Sequence, residues 1–199
     1  WGVSALLDTL DALDAAGVGR FGAGRNLDEG RAPWTAEVKG RRIAVIGIDG
    51  VTANEAQREP DATVYNTWLG AAGYAGAGPD QPGTNPYMVD QFTADISRLA
   101  SEYDIVIPYF HLGREYVALP PAWAVDGARA AIDAGATMVV TNHPHLVQCL
   151  AEHAGRPIVF SPGNFIFDQM FSAEVRQGFI LEIDFRGSAV VGLRMRGIE

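Results

Sequence analysis

The stretch DIVIPYFH, residues 104–111, indicates the fold of this chain most directly. Its apolar run from Ile105 to Phe110 is rich in β-branched and aromatic side chains, which predicts a buried strand, and the run ends in a histidine. Two further segments show the same pattern of an apolar strand followed by polar groups: TMVVTNH, residues 137–143, and PIVFSPGNFIFD, residues 157–168. The sequence therefore places polar side chains at the ends of three predicted strands.

Helical segments alternate with these strands. Residues 88–101 and 122–134 are predicted helices, and RRIAVIGID, residues 41–49, is another predicted buried strand. The last two strands, GFILEIDF and AVVGLRMRGI, are expected to form an antiparallel hairpin joined at residues 186–188. This order predicts an α/β fold with a mixed sheet, in which ligands bind beyond the carboxyl ends of the strands.

The amino-terminal segments predict a helix followed by a turn. Residues 3–16 carry apolar side chains at helical spacing, and residues 18–21 are a candidate for a short strand. In GAGRNLDEG, residues 22–30, Asn26 and Glu29 have the spacing of a helix-capping pair. We interpret this segment as a tight turn between a strand and a helix. A phosphate cradle is the alternative, for which its glycine spacing is a weak signal.

A long irregular segment interrupts the alternation. Residues 50–86 are rich in Gly, Pro and Asn, and a loop of this length in a compact domain is usually functional or disordered. Its aromatic residues Tyr65, Trp68 and Tyr74 favour partial packing. We expect this long loop or insertion to lie over the cleft and to influence the choice of substrate.

The composition argues against unspecific nucleic-acid binding. The 199 residues are 48% hydrophobic and 20% charged, with a formal net charge of −9, whereas nucleic-acid binders are typically basic. This charge does not exclude an anionic polymer held locally by arginines or metal ions. Cys149 is the only cysteine, so no internal disulfide can form, and its apolar neighbours predict that it is buried and inert.

Three of the four histidines fall at predicted strand ends. His143 and His145 form an H-x-H pair, whose side chains point the same way on an extended backbone, and His111 ends a neighbouring strand. Neutral imidazole is a common ligand of zinc, manganese and iron. The alternative is that they are loop residues hydrogen-bonded to the backbone, but the third histidine favours a metal site. His153 lies in a polar segment and is expected to be solvent-exposed.

Several polar residues next to these histidines are further candidates. Glu115 follows His111 in HLGREY and would be a general acid or base, a partner that orients a histidine, or a surface charge. Asn164 follows a glycine and would be either a turn former or a polar group of the site.

The motifs FHLGREY, TNHPHLVQ and SPGNFIFDQ, in this order and at these separations, resemble the CapA family of bacterial capsule (poly-γ-glutamate) synthesis proteins. That family is related to the calcineurin-like metallophosphoesterases. The resemblance covers nearly the whole chain, and three linked motifs make it specific. The departures are Leu112, Thr141 and Pro162, where the family often has Trp, Gly and Leu, and none of them is a presumed ligand.

The resemblance implies a four-layer α/β/β/α sandwich with a two-metal centre at one end. It implies that His111, His143 and His145 are metal ligands, and we expect Glu115 and His111 to be the catalytic acid–base groups. The further residues expected at the cleft are Arg114, Asn142, Gln148 and Asn164. The expected cofactors are two divalent ions of manganese, zinc or iron, which would activate water and hold the substrate oxygens.

The start of the chain departs from the family pattern. The family brings a metal-binding Asp on an amino-terminal strand, and an N-N-H segment with a following Asp comes later, whereas this chain opens at Trp1. We therefore expect one metallophosphoesterase-like domain, residues 1–199, that lacks its amino-terminal portion and strands. An upstream segment or a second chain would complete the metal shell.

Two kinds of function agree with these observations. The first is a metal-dependent hydrolase or transferase of capsule or poly-γ-glutamate synthesis, acting on a small molecule or an anionic polymer through a phosphoester, amide or carboxyl-phosphate linkage. The second is a non-catalytic assembly or scaffold component of a cell-envelope polymer system. Other capsule-synthesis proteins are the expected partners, nucleic acid is not, and the sequence leaves the compartment open between cell envelope and cytoplasm.

Overall fold

The protein is described here by a computed structural model that covers residues 2–51 and 76–198. Within these ranges it has an α/β fold built around a mixed sheet. The helices are α1 (Gly2–Ala15), α2 (Leu27–Arg31), α3 (Val89–Glu102) and α4 (Ala122–Asp133), with a 3₁₀ turn at Glu174–Arg176. The strands are β1 (Ala23–Gly24), β2 (Trp34–Val38), β3 (Arg41–Asp49), β4 (Gly83–Thr84), β5 (Ile105–His111), β6 (Val139–Asn142), β7 (Leu150–His153), β8 (Arg156–Val159), β9 (Gly178–Arg186) and β10 (Ala189–Ile198).

The central sheet has six strands in the order β2-β3-β5-β6-β8-β7. The four inner strands, β3, β5, β6 and β8, are parallel, and the edge strands β2 and β7 pair antiparallel to their neighbours. Parallel strands are covered on both faces, which explains why the inner strands are continuous apolar runs in the sequence. Because the inner strands run in one direction, their carboxyl ends meet at one edge of the sheet.

Both faces of the sheet are covered by apolar side chains. On one face, α3 and α4 pack on a buried cluster that includes Phe92 and Phe110, whose rings meet edge to face at 5.3 Å. Truncating such a ring to alanine costs about 3–5 kcal/mol of stability. On the other face, the β9–β10 hairpin packs against Met138, Val140 and Val159. The helices and the hairpin thus hold the inner strands between them.

The amino-terminal turn matches its sequence prediction in part. The capping pair is confirmed, because Asn26 Oδ1 accepts the N–H of Glu29 at 2.9 Å, and the Glu29 carboxylate binds the side chains of Arg20 and Arg25. The strand predicted at residues 18–21 is wrong: the short ladder lies further on, where β1 pairs with β4. Residues 18–21 have no such ladder and only lead into the turn.

Cys149 is exposed, so the prediction that it is buried is wrong. The apolar run around it leads into β7, an edge strand whose residues are mostly exposed. The sequence analysis predicted neither β7 nor the other edge strand, β2. His153, the last residue of β7, is part-exposed, and its Nε2 lies 2.8 Å from Asp133 Oδ1. It therefore lies apart from the other histidines.

Most of the long segment predicted over the cleft, residues 52–75, lies outside the described residues. Its described end, residues 76–86, runs beside the amino-terminal turn, where β4 pairs with β1 and Asn85 N–H donates to Gly22 O at 2.9 Å. A role of this segment over the cleft stays a prediction. None of the helices in the described ranges is long and apolar enough to cross a membrane.

Candidate metal centre

The carboxyl ends of β5 and β6 bring three histidines together. His111 is the last residue of β5, and His143 and His145 follow β6. The ring centroids of His111 and His143 are 5.0 Å apart, and those of His143 and His145 are 6.2 Å apart. The three imidazoles therefore form one cluster at the edge of the sheet where ligands of α/β proteins bind.

The loop that carries the histidine pair has an unusual backbone. His143 has φ 113° and His145 has φ 58°, which are conformations that residues other than glycine adopt rarely and at a cost of about 1–3 kcal/mol. Local hydrogen bonds hold this loop: the N–H of His143 donates to Asn142 Oδ1, and the N–H of Tyr116 donates to Pro144 O, both at 2.9 Å. Strain of this kind clusters at functional sites, where the surrounding structure fixes it.

Glu115 joins two of the histidines to form a set of potential ligands. One ligand atom each from Glu115, His143 and His145 lie within 4.8 Å of one another, and His145 Nε2 is 3.8 Å from Glu115 Oε1. Two imidazoles and a carboxylate are donors that suit zinc, manganese or iron. In a tetrahedral shell with metal–ligand distances of about 2.0–2.2 Å, ligand atoms are roughly 3.4 Å apart, so small inward movements would enclose an ion. The residues fit a divalent cation.

A hydrogen bond to Asn164 fixes which nitrogen of His145 is available. Asn164 Nδ2 donates to Val175 O at 2.8 Å, so its Oδ1 faces the imidazole and accepts from His145 Nδ1 at 2.8 Å. The proton of neutral His145 is then on Nδ1, and the lone pair on Nε2 points toward the side where Glu115 lies. Metal-binding histidines are typically oriented in this way by a partner on the other ring nitrogen.

The electrostatic surroundings keep two of the imidazoles neutral. His143 is buried, and this burial, with the nearby His111 and His145, lowers the pKa of His143 from 6.5 to about 4. Burial of its ring also lowers the pKa of His111, although part of the residue is exposed. Neutral imidazole is the form that binds a metal.

A pocket of about 370 Å³ opens beside the cluster, between the central sheet and the start of the hairpin. Its lining combines polar strand ends with apolar side chains of the loop after β8. The lining residues are Tyr109, His111, Asn142, His143, His145, Pro162, Gly163, Asn164, Phe165, Ile166, Phe167 and Phe179. Arg114 and Gln148 are not among them; Arg114 is exposed, and Gln148 Nε2 donates to Val117 O at 2.7 Å.

The sequence analysis missed one acidic residue near the cluster. Asp49 ends β3, is 8% exposed, and is the Cα partner of His111 across the parallel ladder. The signal was present in the sequence, because RRIAVIGID is an apolar strand that ends in a carboxylate. That pattern does not show which strand lies beside RRIAVIGID, whereas Glu115 and Asp168 stand within the histidine motifs themselves.

Comparison with known proteins identifies the family. A family model described as "Bacterial capsule synthesis protein PGA_cap" matches residues 1–169, which include all three histidines and Asn164. The chain belongs to the PGA_cap family of bacterial capsule synthesis proteins. The resemblance seen in the three sequence motifs is thereby confirmed.

Curated relatives agree with this assignment. The "PGA biosynthesis protein CapA" of Bacillus subtilis is 31% identical over 169 residues, and the "Capsule biosynthesis protein CapA" of Bacillus anthracis is 31% identical over 173 residues. Each match covers 85% of this chain, but only 40% and 38% of the relatives' own lengths. A "Probable polyglutamine synthesis accessory protein" of Mycobacterium tuberculosis is 24% identical over 202 residues, covering 98% of this chain and 51% of the relative.

A partial likeness to solved structures also exists. The sulfate thiohydrolase SoxB of Thermus thermophilus, solved with glycerol, superposes with a TM-score of 0.49 and 14% identity, over 84% of this chain and 24% of SoxB.

Proposed function

We propose that this chain forms the metal-binding part of a metal-dependent hydrolase or transferase that acts in the synthesis of a capsular or poly-γ-glutamate-like polymer. The observation that carries the proposal is the set of Glu115, His143 and His145, whose ligand atoms lie within 4.8 Å of one another at the carboxyl edge of the sheet. Membership of a capsule synthesis family supplies the biological setting.

The proposed centre holds two divalent ions of manganese, zinc or iron, with His111 as a further ligand beside His143. Such ions, when bound, lower the pKa of coordinated water and polarise the bond that is cleaved. The chain's own residues have separate tasks. Asn164 keeps Nε2 of His145 free of its proton, and burial keeps His143 neutral.

Whichever of Glu115 and His111 does not bind an ion is the proposed proton-transfer group, because a lone pair that binds a metal does not accept a proton. Both residues are exposed, His111 within the histidine cluster and Glu115 beside it, so either is able to exchange a proton with a substrate or with solvent. Asn142 and Asn164 line the pocket that would receive the substrate, where the amide of Asn164 is bonded to His145 and Val175, while the exposed Arg114 would attract an anionic polymer. The substrate class that this arrangement suits is a phosphoester or a γ-glutamyl amide or acyl phosphate.

The same proposal includes the architecture of the complete domain. In a four-layer α/β/β/α sandwich, the β9–β10 hairpin would be part of a second sheet, with further strands from an upstream segment or a second chain. That added part would also contribute ligands to the centre. The described residues supply the histidines and Glu115 but leave open space on the pocket side.

A non-catalytic assembly role is the second candidate, and an exposed apolar surface favours it. The loop after β8 carries Phe165, Ile166, Met170 and Phe171, all exposed, with Ile166 86% exposed. Clustered exposed apolar side chains often mark contacts between proteins. Other proteins of the capsule machinery would be the partners in that case.

Metal content tests the centre itself. The chain and its His143→Ala/His145→Ala variant would be loaded with manganese, zinc or iron, dialysed, and measured by elemental analysis. We expect the unaltered chain to retain more transition metal than the variant, and a protein with a completed metal shell to retain more still. His153→Ala is the matched control, because His153 binds Asp133 away from the cluster. Equal metal content in all three proteins would contradict the proposal.

Turnover by a protein with a completed metal shell then separates the two candidate functions. A phosphoester and a γ-glutamyl peptide would be tested with the metal-loaded protein. Hydrolysis that disappears in the His143→Ala/His145→Ala variant supports the enzyme. Two results together would support the assembly role. The protein would retain metal but turn over neither substrate, and capsule-synthesis proteins would co-purify with it unless Ile166 and Phe171 are changed to serine.

A further inference from the structure

Asp49 stands beside His111 in the central sheet. The two residues are Cα partners in the ladder between β3 and β5, and His111 is in turn the partner of Asn142 on β6. Paired residues of neighbouring strands point to the same face of a sheet, and such strands lie about 4.8 Å apart. The side chains of Asp49 and His111 are therefore neighbours on the face that carries the pocket, which both His111 and Asn142 line.

Backbone hydrogen bonds fix the position of Asp49. Its N–H donates to Asn85 O at 2.8 Å, and its carbonyl accepts the N–H of Tyr87 at 2.9 Å. The next residue, Gly50, donates its N–H to His111 O, also at 2.9 Å. These contacts tie the two strand ends together and fix the backbone of Asp49 relative to that of His111.

The carboxylate is buried while the imidazole beside it reaches the pocket. Asp49 is 8% exposed, its Oδ1 accepts the N–H of Val51 at 2.8 Å, and His111 is exposed. Burial lowers the pKa of His111, and the charge of Asp49 opposes that shift. A carboxylate behind a histidine is the usual partner that orients a metal-binding ring.

The geometry points to Asp49 as a positioning residue. Its carboxylate acts through its negative charge: it favours the tautomer of His111 whose proton is on the ring nitrogen nearer to Asp49, and it leaves the other nitrogen available to the cation. This inference rests on the proposed function for the cation, but not for the tautomer itself. Asp49 would then set the tautomer of His111, as Asn164 sets that of His145.

The test uses Asp49→Asn and Asp49→Ala, with Asp95→Asn as the control. Asp95 is the other buried carboxylate among the described residues, and it binds Arg31 on the helical side of the sheet. Long-range ¹⁵N–¹H spectra of the metal-free proteins would report the tautomer of each histidine, and calorimetric titration with Mn²⁺ and Zn²⁺ would report affinity. Thermal unfolding would show that each variant is folded.

We expect the Asp49 variants to change the nitrogen shifts of His111 and leave those of His145 unchanged. We expect both variants to weaken cation binding by roughly tenfold, because each of them removes the negative charge beside His111. Unchanged His111 spectra in folded Asp49→Ala would overturn the inference, as would changed spectra with unchanged affinity. If the unaltered chain binds neither ion, the proposed function fails, while the spectra still decide whether Asp49 sets the tautomer of His111.

Discussion

His145 Nδ1 donates a hydrogen bond of 2.8 Å to Asn164 Oδ1, and this bond joins two of the sequence motifs. TNHPHLVQ supplies the histidine, and SPGNFIFDQ supplies the asparagine from the loop after β8. Asn164 is itself held by its bond to the carbonyl of Val175 in the 3₁₀ turn. The direction of the His145 ring therefore depends on a residue that need not touch the cation.

Replacing Asn164 by alanine is the first prediction. We expect cation affinity to fall roughly ten- to hundredfold, because His145 loses the partner that fixes its tautomer. Stability should fall by about 1–3 kcal/mol, since Val175 O loses its donor. Calorimetric titration and denaturant unfolding measure the two effects. Asn26→Ala is the matched control: it removes a helix cap, costs about 1 kcal/mol, and should leave affinity unchanged.

Much of the site was predictable because strand ends are visible in a sequence. The apolar run that ends in His111 and the run before His143 indicate parallel strands, and parallel neighbours bring their ends together. The contact of Asn164 with Val175 was not predictable, because it depends on how a loop folds back. Asp49 was missed because its relation to His111 is a sheet register across more than sixty residues of chain, which no local pattern encodes.

The edges of the fold were harder to predict than its centre. The boundaries of β3 agree with the apolar run in the sequence, because a central strand is buried on both faces. Cys149 was placed wrongly because the apolar residues around it belong to a region that borders an edge strand, where one side meets solvent. An apolar pattern therefore predicts burial reliably only where neighbouring strands exist on both sides.

The pH dependence of stability is the second prediction. The pKa of His143 is about 4 in the folded chain and 6.5 in an unfolded one, so the unfolded state binds more protons between these values. Stability from this group is therefore complete above pH 6.5 and decreases as the pH falls to about 4. The loss should be about 3 kcal/mol. Denaturant unfolding of metal-free protein at several pH values measures it.

The controls for this pH effect are two asparagine variants. The carboxylates lower the free energy of unfolding in both proteins as the pH falls from 6.5 to 4. The unaltered chain should show a further decrease that comes from His143, and His143→Asn should lack it. His153→Asn should keep that decrease, because His153 lies outside the cluster. A parallel pH profile for His143→Asn and the unaltered chain would show that His143 is not kept neutral by burial.

The choice of cation is the third prediction. Zn²⁺ or Mn²⁺ at one hundred times its dissociation constant should raise the free energy of unfolding by about 2.7 kcal/mol, and a chelator should reverse this. Ca²⁺ at the same concentration should have little effect, because it prefers oxygen ligands and the cluster offers imidazoles. Thermal unfolding with each ion measures the difference. Equal stabilisation by Ca²⁺ would point to carboxylates elsewhere as the binding groups.

The role of Glu115 is the fourth prediction, and Asp168 provides its control. Glu115 Oε1 is 3.8 Å from His145 Nε2, whereas Asp168 is an exposed acid in a neighbouring motif that is not part of the ligand set. Glu115→Gln removes a charge but keeps the size of the side chain. We expect this change to weaken Zn²⁺ or Mn²⁺ binding at least tenfold, because a neutral amide is a poorer ligand than a carboxylate.

Asp168→Asn makes the same chemical change and should leave the affinity within twofold of the unaltered chain, since a single exposed charge contributes little in water. Calorimetric titration of both variants under one salt condition compares them directly. If the two variants bind the cation equally well, Glu115 acts only as a surface charge. If Glu115→Gln keeps its affinity but abolishes turnover by metal-loaded protein with a completed shell, Glu115 transfers protons and is not a ligand.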